Sequence, residues 1–187
     1  SIIKVDKDLD LDILGPLGCG IQTGAGAVLN RLKPTAGSSL VVFGCGTVGM
    51  SAIMAAHLCP CKNIIAVGGN EKSLALAKEL GATHTINVLK ENLIEKVKEY
   101  TYGHGATVSI DAVCNKDSLI NLLQATGNAG RVMTMGFSTA PTEINQFLIT
   151  SKELDVRGSR LQNKMFGKAI ELVNEGKLDL TNSISHT

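Results

Sequence analysis

Six residues, Gly44-Cys45-Gly46-Thr47-Val48-Gly49, carry the clearest chemical signal in this chain. They match G-x-G-x-x-G, directly after the apolar run Val41-Val42-Phe43 and at the opening of a helical pattern. In that setting the first glycine makes a tight turn, the second lets backbone approach a pyrophosphate, and the third lets the helix close onto the sheet. The first amides of the helix, at Thr47, Val48 and Gly49, then offer unpaired N–H groups and partial positive charge to an anion. A glycine-rich turn without a ligand is the bland alternative. A methyltransferase-like loop is the competing one, but it calls for an acid at the end of the second strand, where this chain has Gly68.

The end of that second strand decides which dinucleotide fits. An acid expected about 20 residues after the glycine turn accepts the adenosine 2′-hydroxyl and repels a 2′-phosphate. Here the stretch reads Val67-Gly68-Gly69-Asn70, so acceptor and repulsion are both missing. Gly68 and Gly69 leave room for an anion, Asn70 can donate, and Lys72 is near enough in sequence to add charge. Against this, no arginine lies between Gly68 and Ala75 and Glu71 would oppose a phosphate. The balance favours NADP over NAD.

Such a turn needs a parallel sheet to hold it, and the chain alternates short apolar runs with helical patterns, the signature of βαβ units. Six runs read as strands: 39–43, 63–67, 83–87, 107–113, 131–135 and 153–158. Helices are expected at 48–58, 71–80, 92–102, 116–125 and 145–151. A lead-in helix over 17–34 is stopped by Pro34, and a final amphipathic helix falls within 163–180. The expected fold is α/β, a doubly wound parallel six-stranded sheet with helices on both faces, formed by one domain of 187 residues.

Composition excludes several other functions. Lys plus Arg number 18 against 17 Asp plus Glu, without a basic run, and 3% of residues are aromatic, so no nucleic-acid footprint is present. No apolar stretch reaches about 18 residues and no signal-peptide pattern opens the chain, so neither a membrane span nor secretion is indicated and a cytoplasmic location is expected. The five cysteines are odd in number and read as free thiols. Cys59-Pro60-Cys61 lacks a second pair of ligands at metal spacing and reads as a loop.

Three stretches together, Gly18 to Asn30 (GCGIQTGAGAVLN), GCGTVGMSA from Gly44, and Ala77 to Asn87 (AKELGATHTIN), resemble the cofactor-binding domain of medium-chain zinc-dependent alcohol dehydrogenases, notably the aryl or benzyl alcohol branch. The resemblance covers nearly the whole chain. It implies a Rossmann domain and, in the intact enzyme, hydride transfer between an alcohol and NAD(P). It places Cys19 as the third catalytic zinc ligand and Thr23 beneath the nicotinamide. It also places Ala112 and Val113 beside the adenosine ribose, and Met135, Gly136 and Phe137 beside the carboxamide. A departure follows Val113, where Cys114-Asn115 replaces the family's usual Gly or Thr. The other zinc ligands and the proton relay belong to a catalytic domain absent from this sequence, so the chain reads as an excised, inactive fragment. The implied partners are a small alcohol or aldehyde and, through the sixth strand, a second copy. The alternatives are a stand-alone dinucleotide-binding or sensory module and a non-binding interaction unit.

Overall fold

The computed structural model describes residues 4, 5, 7, 11–160 and 165–179. Its centre is one parallel six-stranded sheet, as the alternating pattern predicts, with the strands in the order β3-β2-β1-β4-β5-β6. The strands are β1 Ser39–Phe43, β2 Asn63–Gly68, β3 His84–Asn87, β4 Ala106–Asp111, β5 Thr126–Thr134 and β6 Asp155–Gly158. The helices are α1 Gly20–Gly26, α2 Thr47–His57, α3 Glu71–Glu79, α4 Leu93–Tyr100, α5 Ser118–Ala125, α6 Phe147–Thr150 and α7 Met165–Asn174. Residues 163, 164 and 180, which belong to the expected final helical segment, lie outside the described residues.

β1 and β2 are apolar throughout because the sheet is covered on both faces. Successive side chains point to opposite sides. Leu40 and Val42 of β1, with Ile64 and Ala66 of β2, enter a core shared with Ile53 of α2, Ala169 of α7 and Val28 of the lead-in. Val41 and Phe43, with Ile65 and Val67, enter a second core with Val97 of α4 and Leu122 and Leu123 of α5. The chain winds outward from β1 in one direction to β3 and in the other, through β4, to β6. The strand order therefore reverses between β1 and β4, where a crevice opens at the carboxyl ends.

Several boundaries differ from the sequence pattern. The lead-in is not one helix: a 3-10 segment Leu11–Gly18 precedes α1, and a π-helical segment Ala27–Leu32 follows it. It ends at Lys33, in the left-handed region at φ 45°, one residue before Pro34. β4 stops at Asp111 rather than Val113 because the Asp111 carboxylate takes the Val113 and Cys114 amides out of the ladder. β5 starts at Thr126, five residues before the apolar run, and pairs with Ala106 across an irregularity in the ladder. β6 begins two residues late because Glu153 has φ 52°.

The lead-in docks on α2 at close range. A Cβ at Gly24 would collide with Ser51 Oγ and the Val48 carbonyl, so only glycine permits the approach. Ser51 Oγ donates to the Gly20 carbonyl at 3.2 Å and to the Val48 carbonyl at 2.9 Å. The start of α1, with Cys19 as its N-cap, is thereby held beside the start of α2.

Candidate dinucleotide cleft

The three glycines of the turn do three different things. Gly44 has φ +108°, and a Cβ there would stand 2.7 Å from Val113 Cγ2; its amide donates to the Val67 carbonyl at 2.8 Å. Gly49 faces the Gly44 carbonyl so closely that any side chain would overlap it. Gly46 is unlike both: its φ of −89° and ψ of −173° suit any residue, and a Cβ would meet nothing within 4 Å. Neither its backbone conformation nor protein packing demands glycine at 46. The space beside it is open to the cleft.

Gly46 is also the N-cap of α2, and it supplies no side-chain oxygen to the first helical amides. The next two helices are treated differently. Asn70 Oδ1 accepts from Lys72 and Ser73 amides at 2.9 and 3.2 Å at the start of α3. Asn92 Oδ1 accepts from Ile94 and Glu95 amides at 3.0 and 3.3 Å at the start of α4. The helix that opens into the crevice is thus left without a side-chain cap, as an anion site at a helix N-terminus requires.

Gly44, Gly46, Gly68, Gly69, Asn70, Ala112 and Val113 converge on one cleft of about 480 Å³. Phe43, Cys45, Ser73, Val88 and Asn115 complete its wall, and sequence reasoning assigned none of them to the site. A Cβ at Gly68 would stand 3.5 Å from Cys45 Sγ and 3.6 Å from Leu74 Cδ2, ordinary contact distances. Packing does not exclude a side chain there, so the missing acid bears on the ligand. Glu71 is engaged elsewhere: it accepts from Asn87 Nδ2 at 2.5 Å and Lys90 Nζ at 2.7 Å. These bonds hold its carboxyl below the usual range, and the Lys90 charge offsets its own. Burial raises the Cys45 thiol to about 11, so this wall is a neutral thiol at physiological pH.

The β4 side of the crevice is built on Asp111, which is fully buried. Its Oδ1 accepts from Val113 and Cys114 amides at 3.1 and 2.7 Å, and its Oδ2 from Ser118 Oγ at 2.8 Å. The sequence signal was there in Asp111, Asn115 and Ser118, polar residues bracketing a strand end. Cys114 has φ 54° and ties the ends of β4 and β5 together, accepting from the Gly136 amide at 2.8 Å through Sγ. Gly136 lies with Asp111, Cys114, Thr134 and Ser138 on a second, smaller hollow of about 190 Å³.

The remaining expected residues stand apart from the cleft wall. Thr47 packs against Gly20, and Lys72 uses its amide in the α3 cap. Thr23 is buried within α1, Met135 is buried in the core, and Phe137 is 76% exposed with the Arg160 guanidinium 4.9 Å from its ring centre. Cys19 is exposed. Among the described residues no three His, Cys, Asp or Glu side chains are grouped to hold a metal. A catalytic zinc takes three protein ligands, so Cys19 by itself does not make a zinc site and no chemical step is assigned to one in this chain.

A Rossmann-type sheet with a glycine turn at its switch point defines a class of nucleotide-binding domain. Residues 47–175 match the family model for zinc-binding dehydrogenases, and the chain belongs to that family. It is 38% identical over 160 residues to geraniol dehydrogenase of Castellaniella defragrans, an alignment covering 84% of this chain and 43% of that protein. Benzyl alcohol dehydrogenase from Acinetobacter calcoaceticus superposes with a TM-score of 0.89 at 35% identity, covering 96% of this chain and 51% of that one. An Escherichia coli alcohol dehydrogenase solved with NADH superposes with a TM-score of 0.85 at 28% identity, covering 95% and 52%. The chain therefore spans about half the length of the proteins it matches. Among the described residues no helix is long and apolar enough to cross a membrane.

Proposed function

We propose that this chain is the NAD(P)-binding unit of a zinc-dependent alcohol dehydrogenase that moves hydride between a small alcohol, of the aromatic class in this reading, and a nicotinamide cofactor. The observation that carries the reading is the bare N-terminus of α2, opening through Gly46 into the 480 Å³ cleft at the strand switch point. Gly44, Gly46 and the Thr47, Val48 and Gly49 amides hold the pyrophosphate. Gly68, Gly69, Asn70 and Lys72 receive the adenosine end. Ala112 and Val113 flank the ribose, while Met135, Gly136, Phe137 and Thr23 serve the nicotinamide side. When bound, the cofactor supplies the hydride acceptor; the chain's own residues bind and orient it. Cys19, held at the start of α1, is one ligand of a zinc completed by residues outside this sequence, and pairing between copies along β6 belongs to the same reading. This 187-residue chain alone is therefore expected to lack turnover with benzyl alcohol and zinc.

NADP is the preferred cofactor in this reading, because no carboxylate stands at the end of β2 to repel a 2′-phosphate and packing leaves space for one. Calorimetric titration with NADPH and NADH tests it. Gly68→Asp should weaken NADPH by roughly tenfold to several hundredfold, about 1 to 4 kcal/mol for a close like-charge contact, while NADH binding is kept or improved. NADPH affinity unchanged by the new carboxylate would overturn the placement of the adenosine end.

A further inference from the structure

The turn that follows β4 is strained at one residue. Cys114 has φ 54°, a left-handed conformation that residues other than glycine, asparagine and aspartate rarely adopt. Such an outlier persists only where surrounding contacts hold it. Two contacts do so through sulfur: the thiol donates to the Asp111 carbonyl at 3.2 Å, and Sγ accepts from the Gly136 amide at 2.8 Å. The Val113 and Cys114 amides of the turn are held separately, by Asp111 Oδ1. Removing the thiol would therefore leave the β4 side anchored and release the β5 side.

Gly136 is the partner that this side chain requires. Its φ is not in the left-handed region, so its own backbone does not call for glycine. A Cβ there would collide with Cys114 Cβ and Sγ, so the absence of a side chain at 136 is what lets the thiol reach between the strand ends. β5 ends at Thr134; past it the Met135 amide still bonds the Asp111 carbonyl at 3.0 Å, and the Gly136 amide bonds the sulfur. The same residue stands between the two concavities: Val113 and Asn115 line the 480 Å³ cleft, whereas Cys114 and Gly136 line the smaller hollow. Burial, with the Asp111 charge beside it, raises the thiol above its ordinary value, so it stays protonated and able to donate at neutral pH.

We propose that Cys114 is a positioning residue for the nicotinamide half of the cofactor. Its thiol fixes the backbone of Met135 and Gly136 against the turn after β4, so that the two sides of the crevice keep one spacing. It acts through Gly136 rather than by touching the ligand. The inference rests on the proposed function, which sets Met135, Gly136 and Phe137 on the nicotinamide side.

The test is calorimetric titration of NADPH and NADH, each beside its nicotinamide-free counterpart, 2′-phospho-ADP-ribose or ADP-ribose, on the parent chain and on Cys114→Gly, Cys114→Ala and Cys114→Ser. Cys114→Gly removes the strain together with the thiol, and Cys114→Ala keeps the strain without the thiol, so urea unfolding of the two separates stability from positioning. The glycine variant is expected to unfold close to or above the parent's midpoint, yet to bind the intact cofactor about fivefold or more weakly, with the nicotinamide-free counterpart within about twofold. The alanine variant should show the same binding loss at a lower midpoint. Serine, which offers a donor and an acceptor in the same place, should restore the parent's affinity to within about twofold. Intact-cofactor affinity unchanged in the glycine and alanine variants, an equal loss for the nicotinamide-free counterpart, or a serine variant as weak as the alanine one would overturn the inference while leaving the proposed function standing. A parent chain that binds no dinucleotide, or binds it no more tightly than the nicotinamide-free counterpart, would refute the proposed placement of the cofactor and this inference with it.

Discussion

The N-termini of α2 and α3 lie side by side at the carboxyl edge of the sheet and are finished in opposite ways. Asn70 caps α3 with two hydrogen bonds, whereas Gly46 gives α2 no side-chain cap. Replacing an asparagine cap typically costs about 1 kcal/mol, so leaving α2 bare forgoes stability of that order. α1 and α5 also start without a side-chain cap, so what distinguishes α2 is that its bare start opens into the cleft. Inside one short motif, Gly44 and Gly49 are dictated by the backbone and its packing, and Gly46 is not.

The largest break in this comparison comes from Gly49→Ala. Its methyl group would overlap the Gly44 carbonyl, and backbone cannot swing aside as a long side chain can. A loss of about 3 kcal/mol or more is expected, seen as a large fall in the urea midpoint. Asp111→Ala comes next. It strands two turn amides and removes one partner of the buried Ser118 hydroxyl, which keeps its bonds to Asn115, for about 2 to 3 kcal/mol, and loosens the β4 side of the cleft. Thermal unfolding and cofactor titration of the same variant should both register it. Smallest is Asn92→Ala, expected to cost about 1 kcal/mol with no change in cofactor affinity, because the α4 cap is remote from the cleft wall. A change in affinity with that substitution would blur the distinction between structural and binding caps.

How far the sequence revealed this arrangement depended on how local each cause was. β1 and β2 were legible almost to the residue because burial on both faces leaves uninterrupted apolar runs. The glycine turn between β1 and α2 was legible because its glycines and flanking elements are contiguous. The early start of β5 was not, since Thr126-Gly127-Asn128-Ala129-Gly130 has turn composition and joins the sheet through pairing with Ala106, which lies 20 residues earlier. Cys45, Val88 and Asn115 enter the cleft from three separate strand ends, a convergence that only the fold supplies. Ser73 was missed although Asn70 three residues before it is a recognisable cap. The divided lead-in helix had no sequence warning apart from its small residues, among them Gly20 and Gly24, which serve contact with α2 rather than helix stability.

Gly46→Asp tests the central claim most directly, because it gives α2 the kind of cap that α3 and α4 already have. The extended backbone at Gly46 accepts an aspartate without strain, and its carboxylate would bond the first amides of the helix. The account predicts an unfolding temperature equal to or above that of the parent chain, together with at least a hundredfold loss of both NADH and NADPH affinity by calorimetry, since the carboxylate occupies and repels the pyrophosphate position. A variant equally stable that binds either cofactor as tightly as the parent would contradict it, and would show that the bare start of α2 is not where the dinucleotide is held.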